Sequence, residues 1–226
     1  TLTAIYKGYT GSMFWSTSGQ SSKSITVTAT TLGAIDWGDG TVEYLAVGSN
    51  SLSHTYTGST SYYTVKFIGS VSGLSCPNQK VETLNMESYS SSLTSLICNG
   101  NQLTELNVSN NTNLAELNCS QSTLAILVMK STQTFVPTRH SNTKIVTITQ
   151  ATGGTISFSG DLTFTISPRS DYNIGSVLVN GVSVARSTSY TFTSLTSDSN
   201  ITATFNKKQV SVITDPDPTP GGNQSM

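Results

Sequence analysis

The sequence predicts an all-β protein built from three small modules in series. The 226 residues include 37 Ser and 36 Thr, interspersed with Val, Ile, Tyr and Phe, and β-branched and aromatic side chains fit the pleated surface of a strand. Apolar and polar residues alternate at 25–29 and 177–179, whereas no stretch of a dozen residues has the apolar spacing of a helix. A phrase that ends in Cys also recurs at a nearly constant spacing in the middle of the chain. We therefore expect strands and almost no helix.

The charge content narrows the classes of function. Lys and Arg number 11, Asp and Glu number 12, and charged residues form 10% of the chain, against about 25% in an ordinary soluble domain. Nucleic acid is excluded as an expected partner because its binding depends on clustered Lys and Arg. Apolar runs such as residues 125–129 fall far short of the roughly 20 residues that span a bilayer. We expect a soluble chain with no transmembrane segment and no cofactor.

Residues 1–70 form the first predicted module. Trp-Gly-Asp-Gly at 37–40 follows an apolar strand, and Asp-Gly is typical of a type I′ hairpin turn, whose central residues need positive φ. His-Thr-Tyr at 54–56 and the alternating strand at 63–67 come next. Together these motifs resemble the signature of PKD domains, which implies a small immunoglobulin-like sandwich of an extracellular protein. The resemblance also implies that His54 packs inside that sandwich.

Two carboxylates of the first module, Asp36 and Asp39, are candidates for a metal site. Carboxylates on a turn suit a hard cation, but a Ca²⁺ ion needs six or more oxygen ligands, and Glu43 is the one further carboxylate nearby. The alternative is that both Asp side chains accept hydrogen bonds from backbone N–H groups of the turn. The sequence favours the second interpretation, so we assign no metal.

Residues 71–132 form the second predicted module, a solenoid of three turns. Val or Leu, Leu and Cys recur in a phrase that ends at Cys76, Cys98 and Cys119, so that the three phrases are almost equally spaced. The same apolar spacing forms a second column, which ends at Met86, Val108 and Met129. Equivalent residues of successive turns would stack at the strand spacing of about 4.8 Å. We expect the Leu, Cys, Val and Met side chains of both columns to point inward.

The repeated phrase resembles a leucine-rich repeat, with Leu-Asn-Cys-Ser and Leu-Asn-Val-Ser halves like those of bacterial cell-surface proteins. Asn101 and Asn111 stand at the same position after the first Leu of their phrases, and their amides should bond to the backbone at the bends. Gln79 and Ser122 stand at the equivalent positions as weaker substitutes. The resemblance implies a protein that binds its partners through outward residues of the repeat strands.

The odd number of cysteines leaves two interpretations of Cys76, Cys98 and Cys119. A cysteine with His54 or His140 could act as a nucleophile and base. Alternatively, the shared register places all three in one buried structural ladder, where a thiol is inert. The register favours the ladder, with the thiols reduced.

Residues 143–207 form the third predicted module, and 208–226 form a tail rich in Pro and Gly. Asn180-Gly181 separates two alternating runs and predicts a hairpin. The order of its strand motifs, from Gly-Gly-x-Ile at 153–156 to Asn-Ile-x-Ala-x-Phe at 200–205, is similar to the internalin B-repeat-like module of bacterial surface proteins. The tail cannot pack and should be an extended spacer.

The sequence predicts no enzyme. No nucleophile elbow, phosphate-binding loop, H-E-x-x-H or Cys-x-x-Cys motif occurs. A glycosidase needs two carboxylates about 5 to 10 Å apart, and the candidates Glu105 and Glu116 lie on opposite halves of the solenoid. His140 falls in the connector between modules, where a solvated side chain is expected.

Binding is expected on the outward residues of the solenoid strands. The candidate partner-binding residues are those of the cysteine column, namely Ser95, Ile97, Asn99, Glu116, Asn118 and Ser120. The outward residues of the second column are Thr83, Asn85, Glu87, Glu105, Asn107, Ser109, Ile126, Val128 and Lys130. Most are short and polar, whereas binding hot spots are rich in Trp, Tyr and Arg. A solvated face with no dedicated ligand is therefore the alternative.

These features together predict a monomeric, non-enzymatic adhesion or protein-interaction protein of the extracellular space or the bacterial cell surface. The partner would be a protein or a glycan. The alternative function is a surface glycan-binding accessory protein, which would need an exposed aromatic platform. Trp15 and the pair Tyr62 and Tyr63 are the candidates for that platform outside the expected cores.

Overall fold

The computed structural model describes residues 9–121 and 123–209. Within this part of the chain the protein is all-β, as predicted, and its one helical element is a 3-10 turn at Glu87–Tyr89. The strands, numbered in chain order, are β1 Tyr9–Ser16, β2 Ser22–Ala29, β3 Gly33–Asp36, β4 Val42–Leu45, β5 Gly48–Thr55, β6 Tyr62–Ile68, β7 Val71–Ser75, β8 Val81–Asn85, β9 Ser95–Ile97, β10 Glu105–Asn107, β11 Glu116–Asn118, β12 Ile126–Lys130, β13 Lys144–Gln150, β14 Gly154–Gly160, β15 Thr163–Pro168, β16 Tyr172–Val179, β17 Val182–Val184, β18 Ser189–Thr191 and β19 Ser199–Lys207. No helix in the described part has the length and apolar character needed to cross a membrane. The spacer expected at 208–226 lies, from 210 onward, outside the described residues.

The strands form four sheets. The N-terminal sheet has the order β4-β3-β6-β1-β8. The second sheet has the order β5-β2-β7-β9-β11, and we call it the cysteine sheet because Cys76, Cys98 and Cys119 directly follow its strands β7, β9 and β11. The C-terminal sheet has the order β10-β12-β13-β19-β16-β17, and a small cover sheet consists of β14-β15-β18.

The middle of the chain has a β-solenoid-like arrangement that is continuous with the N-terminal strands. β7, β9 and β11 pair in parallel, with Leu74 opposite Leu96 and Leu96 opposite Leu117. The first turn of the solenoid extends the two N-terminal sheets, because β7 pairs antiparallel with β2 and β8 pairs antiparallel with β1. On the cysteine side the ladder is unbroken from β5 to β11, whereas on the other side β8 and β10 belong to different sheets.

One hydrophobic core lies between the cysteine sheet and the strands on the other side of the solenoid, which are those of the N-terminal sheet together with β10 and β12. It extends from Met13 and Trp15 through the cysteine column to Leu127 and Met129. Every turn of the solenoid has its Leu side chains in this core, because alternate side chains of a strand point to the same side of the sheet. The N-terminal strands and the solenoid therefore share a single core.

Turns at both ends of the chain depend on residues with positive φ. Asn180 and Gly181 have φ values of 51° and 79° and join β16 to β17, as the Asn-Gly pair predicts. β3 and β4 also form the predicted hairpin, but the prediction that a type I′ turn at Asp-Gly connects them is wrong. Positive φ occurs at Gly38 and Gly40, and the N–H of Trp37 donates to the carbonyl of Thr41, so the loop is longer than the type I′ turn requires.

The C-terminal strands join the solenoid through β12. β13 pairs in parallel with β12, and β19 pairs in parallel with β13. The cover sheet packs over this layer and encloses a second core, which includes Phe164, Ile166 and Phe192. β12 thus lies between two cores.

This arrangement corrects the assignment of three residues as outward and solvated. Ile126 and Val128 are 4% and 0% exposed because the cover sheet encloses their side of β12 in the second core. Ser109 is also buried, and its hydroxyl donates to Oδ1 of Asn107. Period-two alternation distinguishes the two sides of a strand, but it does not show that both sides are covered.

Candidate functional site

The outward side of the cysteine sheet is an open surface formed by all five strands, which we call the serine–threonine face. Its residues are Ser49, Ser51, Ser53 and Thr55 on β5, Ser22, Ser24, Thr26 and Thr28 on β2, Gly73 and Ser75 on β7, Ser95 and Ile97 on β9, and Glu116 and Asn118 on β11. All of them are exposed or half-buried. Glu116 is the one charged residue among them, so the face is almost uncharged.

Cross-strand hydrogen bonds hold part of this face in a fixed pattern. The Ser24 and Ser53 hydroxyls lie 3.0 Å apart, as do those of Ser22 and Thr55. The Ser95 hydroxyl donates to a Glu116 carboxylate oxygen at 2.7 Å. Hydroxyls that are paired along the sheet lose little further freedom when a partner binds, which favours recognition.

The six candidate binding residues lie on or next to this face. Ser95, Ile97, Glu116 and Asn118 are outward residues of β9 and β11, whereas Asn99 and Ser120 follow the strand ends at the bends. Asn118 also has a local role, since its Oδ1 accepts from both the N–H and the hydroxyl of Ser120, at 3.3 and 3.0 Å. The four strand residues therefore belong to the surface, and Asn118 also shapes the bend.

The sequence did not predict that the face continues onto the N-terminal strands. Thr26 lies beside Ser75 on one side and Ser51 on the other. The alternation of β2 does indicate an outward polar stripe at Ser24, Thr26 and Thr28. It contains no signal that β2 pairs with β7, because that pairing joins residues far apart in the chain.

The turn that carries Asp36 and Asp39 is held together by hydrogen bonds. Oδ1 of Asp36 accepts from the N–H of Gly38 at 2.9 Å, and Oδ1 of Asp39 accepts from the N–H of Thr41 at 3.0 Å. The other oxygen of Asp39 lies 2.8 Å from Nε2 of His54. Burial alone would raise the pKa of Asp39, but the hydrogen bonds from Thr41 and His54 outweigh burial and lower it.

Trp15, Trp37, Tyr56 and Tyr63 form an aromatic cluster in the first core, and His54 lies at its edge rather than fully inside it. Its ring stacks on Trp37 with centroids 4.8 Å apart and meets Tyr56 edge-on at 4.6 Å, while 13% of its side chain is exposed. In residues 9–121 and 123–209 no group of three or more His, Cys, Asp or Glu side chains is placed to hold a metal ion.

The aromatic candidates separate into buried and exposed residues. Trp15 is wholly buried, and its indole N–H donates to the Tyr56 hydroxyl at 3.2 Å. Tyr63 is 8% exposed and stacks on Tyr56. The prediction that Trp15 or Tyr63 belongs to an exposed aromatic platform is therefore wrong. Tyr62 is 49% exposed, and its ring is parallel to that of Phe14, within 2°, at a centroid distance of 5.5 Å.

A polar cleft of about 700 Å³ separates the N-terminal and C-terminal sheets from the tip of the β14–β15 hairpin. Four carboxylates line it, those of Glu82, Glu87, Glu105 and Asp161. Asn107 donates to Glu87 across the cleft wall. Glu105 and Glu116 belong to different sheets, and of the two only Glu105 lines the cleft.

Lys23 is a buried cation that sequence analysis missed. Its side chain is 0% exposed, and Nζ donates to the carbonyls of Ser16 and Gln79, both at 2.6 Å. Nζ also lies 5.1 Å from the centre of the Trp15 ring, a distance at which a cation is attracted to an aromatic face. Burial, with a smaller contribution from the charge of Lys80, lowers the pKa of Lys23 from 10.5 to about 8. The alternation of β2 places Lys23 on the same side as Ile25, which is the signal that could have revealed it.

The three cysteines are free, fully buried and aligned in one column of the solenoid. Burial raises the pKa of Cys76 to about 12 and that of Cys119 to about 11. The pKa of Cys98 is raised well above its ordinary value, again chiefly by burial. Thiols in this state are poor nucleophiles because the thiolate is the reactive form.

No protein family, curated protein or solved structure matches this chain.

Proposed function

We propose that this protein is a non-enzymatic adhesion or protein-interaction protein that binds through the serine–threonine face. The observation that carries the proposal is that the two outward faces of the solenoid differ in extent. The C-terminal strands cover the second column at β12, around Ile126 and Val128, and the rest of that column lines a cleft, whereas the outward residues of the cysteine sheet form one accessible surface across five strands.

The chemistry of the face suits weak recognition of a neutral surface. At about 4.8 Å per strand the five strands are about 24 Å wide, and the face has an area on the order of 400 Å². That area is below the roughly 800 Å² per partner of a standard stable interface. One copy should therefore bind weakly, and many copies on one surface would raise the effective affinity by about 10² to 10⁴.

The motif resemblances support the cell-surface part of the proposal. Trp-Gly-Asp-Gly at 37–40 with His-Thr-Tyr at 54–56 resembles PKD domains, and the phrase ending at Cys98 resembles a leucine-rich repeat of bacterial surface proteins. The two N-terminal layers of strands and the parallel ladder of β7, β9 and β11 are compatible with both resemblances. We therefore infer a position outside the cell or on its surface, and we propose that the protein acts as a monomer.

The proposal is tested with particles coated densely with the full chain and applied to immobilised extracellular-matrix proteins. The double variant Thr26→Arg with Ser51→Arg places two bulky cations at the centre of the face and should reduce adhesion at least tenfold. Val182→Arg with Ser183→Arg, at two exposed residues of β17, adds the same two charges away from the face; it is the matched control and should adhere like the parent. The two new Arg side chains face each other across β2 and β5, and like charges in that position destabilise a sheet slightly, so the melting temperatures of the three proteins should agree to within about 4 °C.

Two outcomes would contradict the proposal. Undiminished adhesion by the double variant would remove the binding site from the serine–threonine face. Nanomolar binding by a single soluble copy would contradict the weak, multivalent mechanism.

A further inference from the structure

We propose a second binding site, for a neutral carbohydrate, in a groove on the outward side of the N-terminal sheet. The groove has a volume of about 450 Å³, within the range of about 300–1,000 Å³ for small-molecule sites. Tyr62, Asp36, Lys66 and the backbone of Gly38 and Gly40 line it. It lies on a different sheet from the serine–threonine face and does not depend on the function proposed for that face.

Tyr62 supplies the apolar surface of the site. Tyr62 is 49% exposed, whereas its neighbour Tyr63 on the same strand points into the core and is 8% exposed. Phe14 on β1 stacks parallel to Tyr62 and so restricts the orientation of its ring, and Phe14 does not line the groove. An aromatic ring in a fixed orientation, with a polar groove beside it, can stack against the C–H side of a pyranose while its hydroxyl remains hydrated.

Asp36 and Lys66 supply the polar surface. They are register partners on β3 and β6, so their side chains stand side by side at the groove. The Asp36 carboxylate is oriented by the hydrogen bond that it accepts from the N–H of Gly38. A sugar hydroxyl can donate a hydrogen bond to the Asp36 carboxylate and accept one from the Lys66 ammonium. Hydrogen bonds to charged groups are stronger than those between neutral groups.

The glycine turn leaves the groove open. Gly38 packs so closely on β6 that a Cβ atom there would lie 2.4 Å from the carbonyl oxygen of Thr64, which fixes the turn beside the groove. At Gly40 no atom lies within 4 Å of the position of a Cβ. A ligand can therefore approach the backbone of this turn without displacing a side chain.

The charges favour a neutral ligand over an ionic one. Asp36 and Lys66 have opposite signs, so their charges largely cancel at the groove. Because the opposite charges of Asp36 and Lys66 lie side by side, the attraction that an ionic ligand gains from one of them is offset by repulsion from the other. A neutral hexose chain needs no compensating charge, and one stacking ring in an open groove gives weak binding.

The proposal is tested by affinity gel electrophoresis of the full chain through gels containing a neutral polysaccharide, namely a β-glucan, a mannan, a xylan or a galactan. At least one should retard the parent protein. Tyr62→Ala should weaken that retardation at least tenfold, and Tyr62→Phe less than threefold, because the ring supplies the contact. Tyr44→Ala is the matched control, since Tyr44 is an exposed tyrosine of the same sheet, 62% exposed, that does not line the groove.

Three results would overturn the proposal. Retardation by none of the four polysaccharides would remove the site, and so would an equal loss in Tyr44→Ala and Tyr62→Ala. Retardation only by an anionic polysaccharide, tested with hyaluronan, would contradict the assignment of a neutral ligand. Particle adhesion through the serine–threonine face should be unchanged in Tyr62→Ala, so the two proposals can fail separately.

Discussion

Replacing Asn101 with alanine should destabilise the protein more than any other change of a single amide in the solenoid bends. Asn101 is 6% exposed, and its side chain makes four hydrogen bonds with backbone groups of two successive turns. Its Oδ1 accepts from the N–H groups of Gln79 and Val81, at 2.9 and 3.0 Å. Its Nδ2 donates to the carbonyls of Cys76 and Cys98, both at 2.8 Å.

The expected loss follows from these bonds. Each contributes about 1 kcal/mol net, and alanine leaves buried partners without a replacement, so we expect about 4 kcal/mol less free energy of unfolding. Asn111 is the matched comparison in the other column. Its Nδ2 donates to Met86 and Tyr89 at 2.8 and 3.3 Å, but its buried Oδ1 has no protein partner. Asn111→Ala should therefore cost about 1 to 2 kcal/mol.

Urea unfolding of the full chain, followed by tryptophan fluorescence, measures both losses because Trp15 and Trp37 lie in the same core as the bends. Asn113→Ala is the surface control, since Asn113 is exposed, and it should change the free energy of unfolding by about 0.5 kcal/mol or less. Equal losses for Asn101→Ala and Asn111→Ala, at an unchanged m value, would refute the reasoning that hydrogen-bond number sets the cost.

Four further predictions concern the cores. The free energy of unfolding of the parent, measured relative to Lys23→Met, should rise by about 1–2 kcal/mol between pH 7 and 9.5, because the folded-state pKa of Lys23 is lowered to about 8 and the unfolded parent then binds more protons. The comparison with Lys23→Met is required because the raised pKa values of the three buried cysteines lower the stability of both proteins over this pH range; urea titrations with parallel pH dependence in the two proteins would contradict the role of Lys23. A thiol reagent should label the native protein slowly and reach all 3 cysteines only after denaturation, whereas rapid native labelling would revive the reactive-thiol interpretation. Val128→Asp should unfold the C-terminal strands, since an unpaired buried charge costs several kcal/mol, while Val182→Asp, at a residue 67% exposed, should melt like the parent. Leu117→Asp should abolish the cooperative transition of the shared first core, and a parent-like melting curve would show that the solenoid register is wrong.

The sequence by itself determined the all-β class and the register of the solenoid. Leu74, Leu96 and Leu117 align in the structure as their spacing predicts, and Asn101 bonds to the backbone at its bend. These features depend on hydrophobic periodicity and on side chains that bond to the neighbouring turn of the solenoid. Both can therefore be read from short stretches of the sequence. The bond predicted for Ser122 lies outside the described residues. In the structure Gln121 acts at that bend, where its Oε1 accepts from the N–H of Asn101 at 2.8 Å.

Only the tertiary structure decided which faces are covered and which are open. The burial of Trp15 depends on β1 pairing with both β6 and β8, and the burial of Val128 depends on strands β14 to β19, which come much later in the chain. An alternating strand has the same sequence pattern whether its polar side meets water or a second sheet. The open serine–threonine face and the groove at Tyr62 are both products of such long-range pairing, so the candidate sites could be located only after the strands had been placed in space.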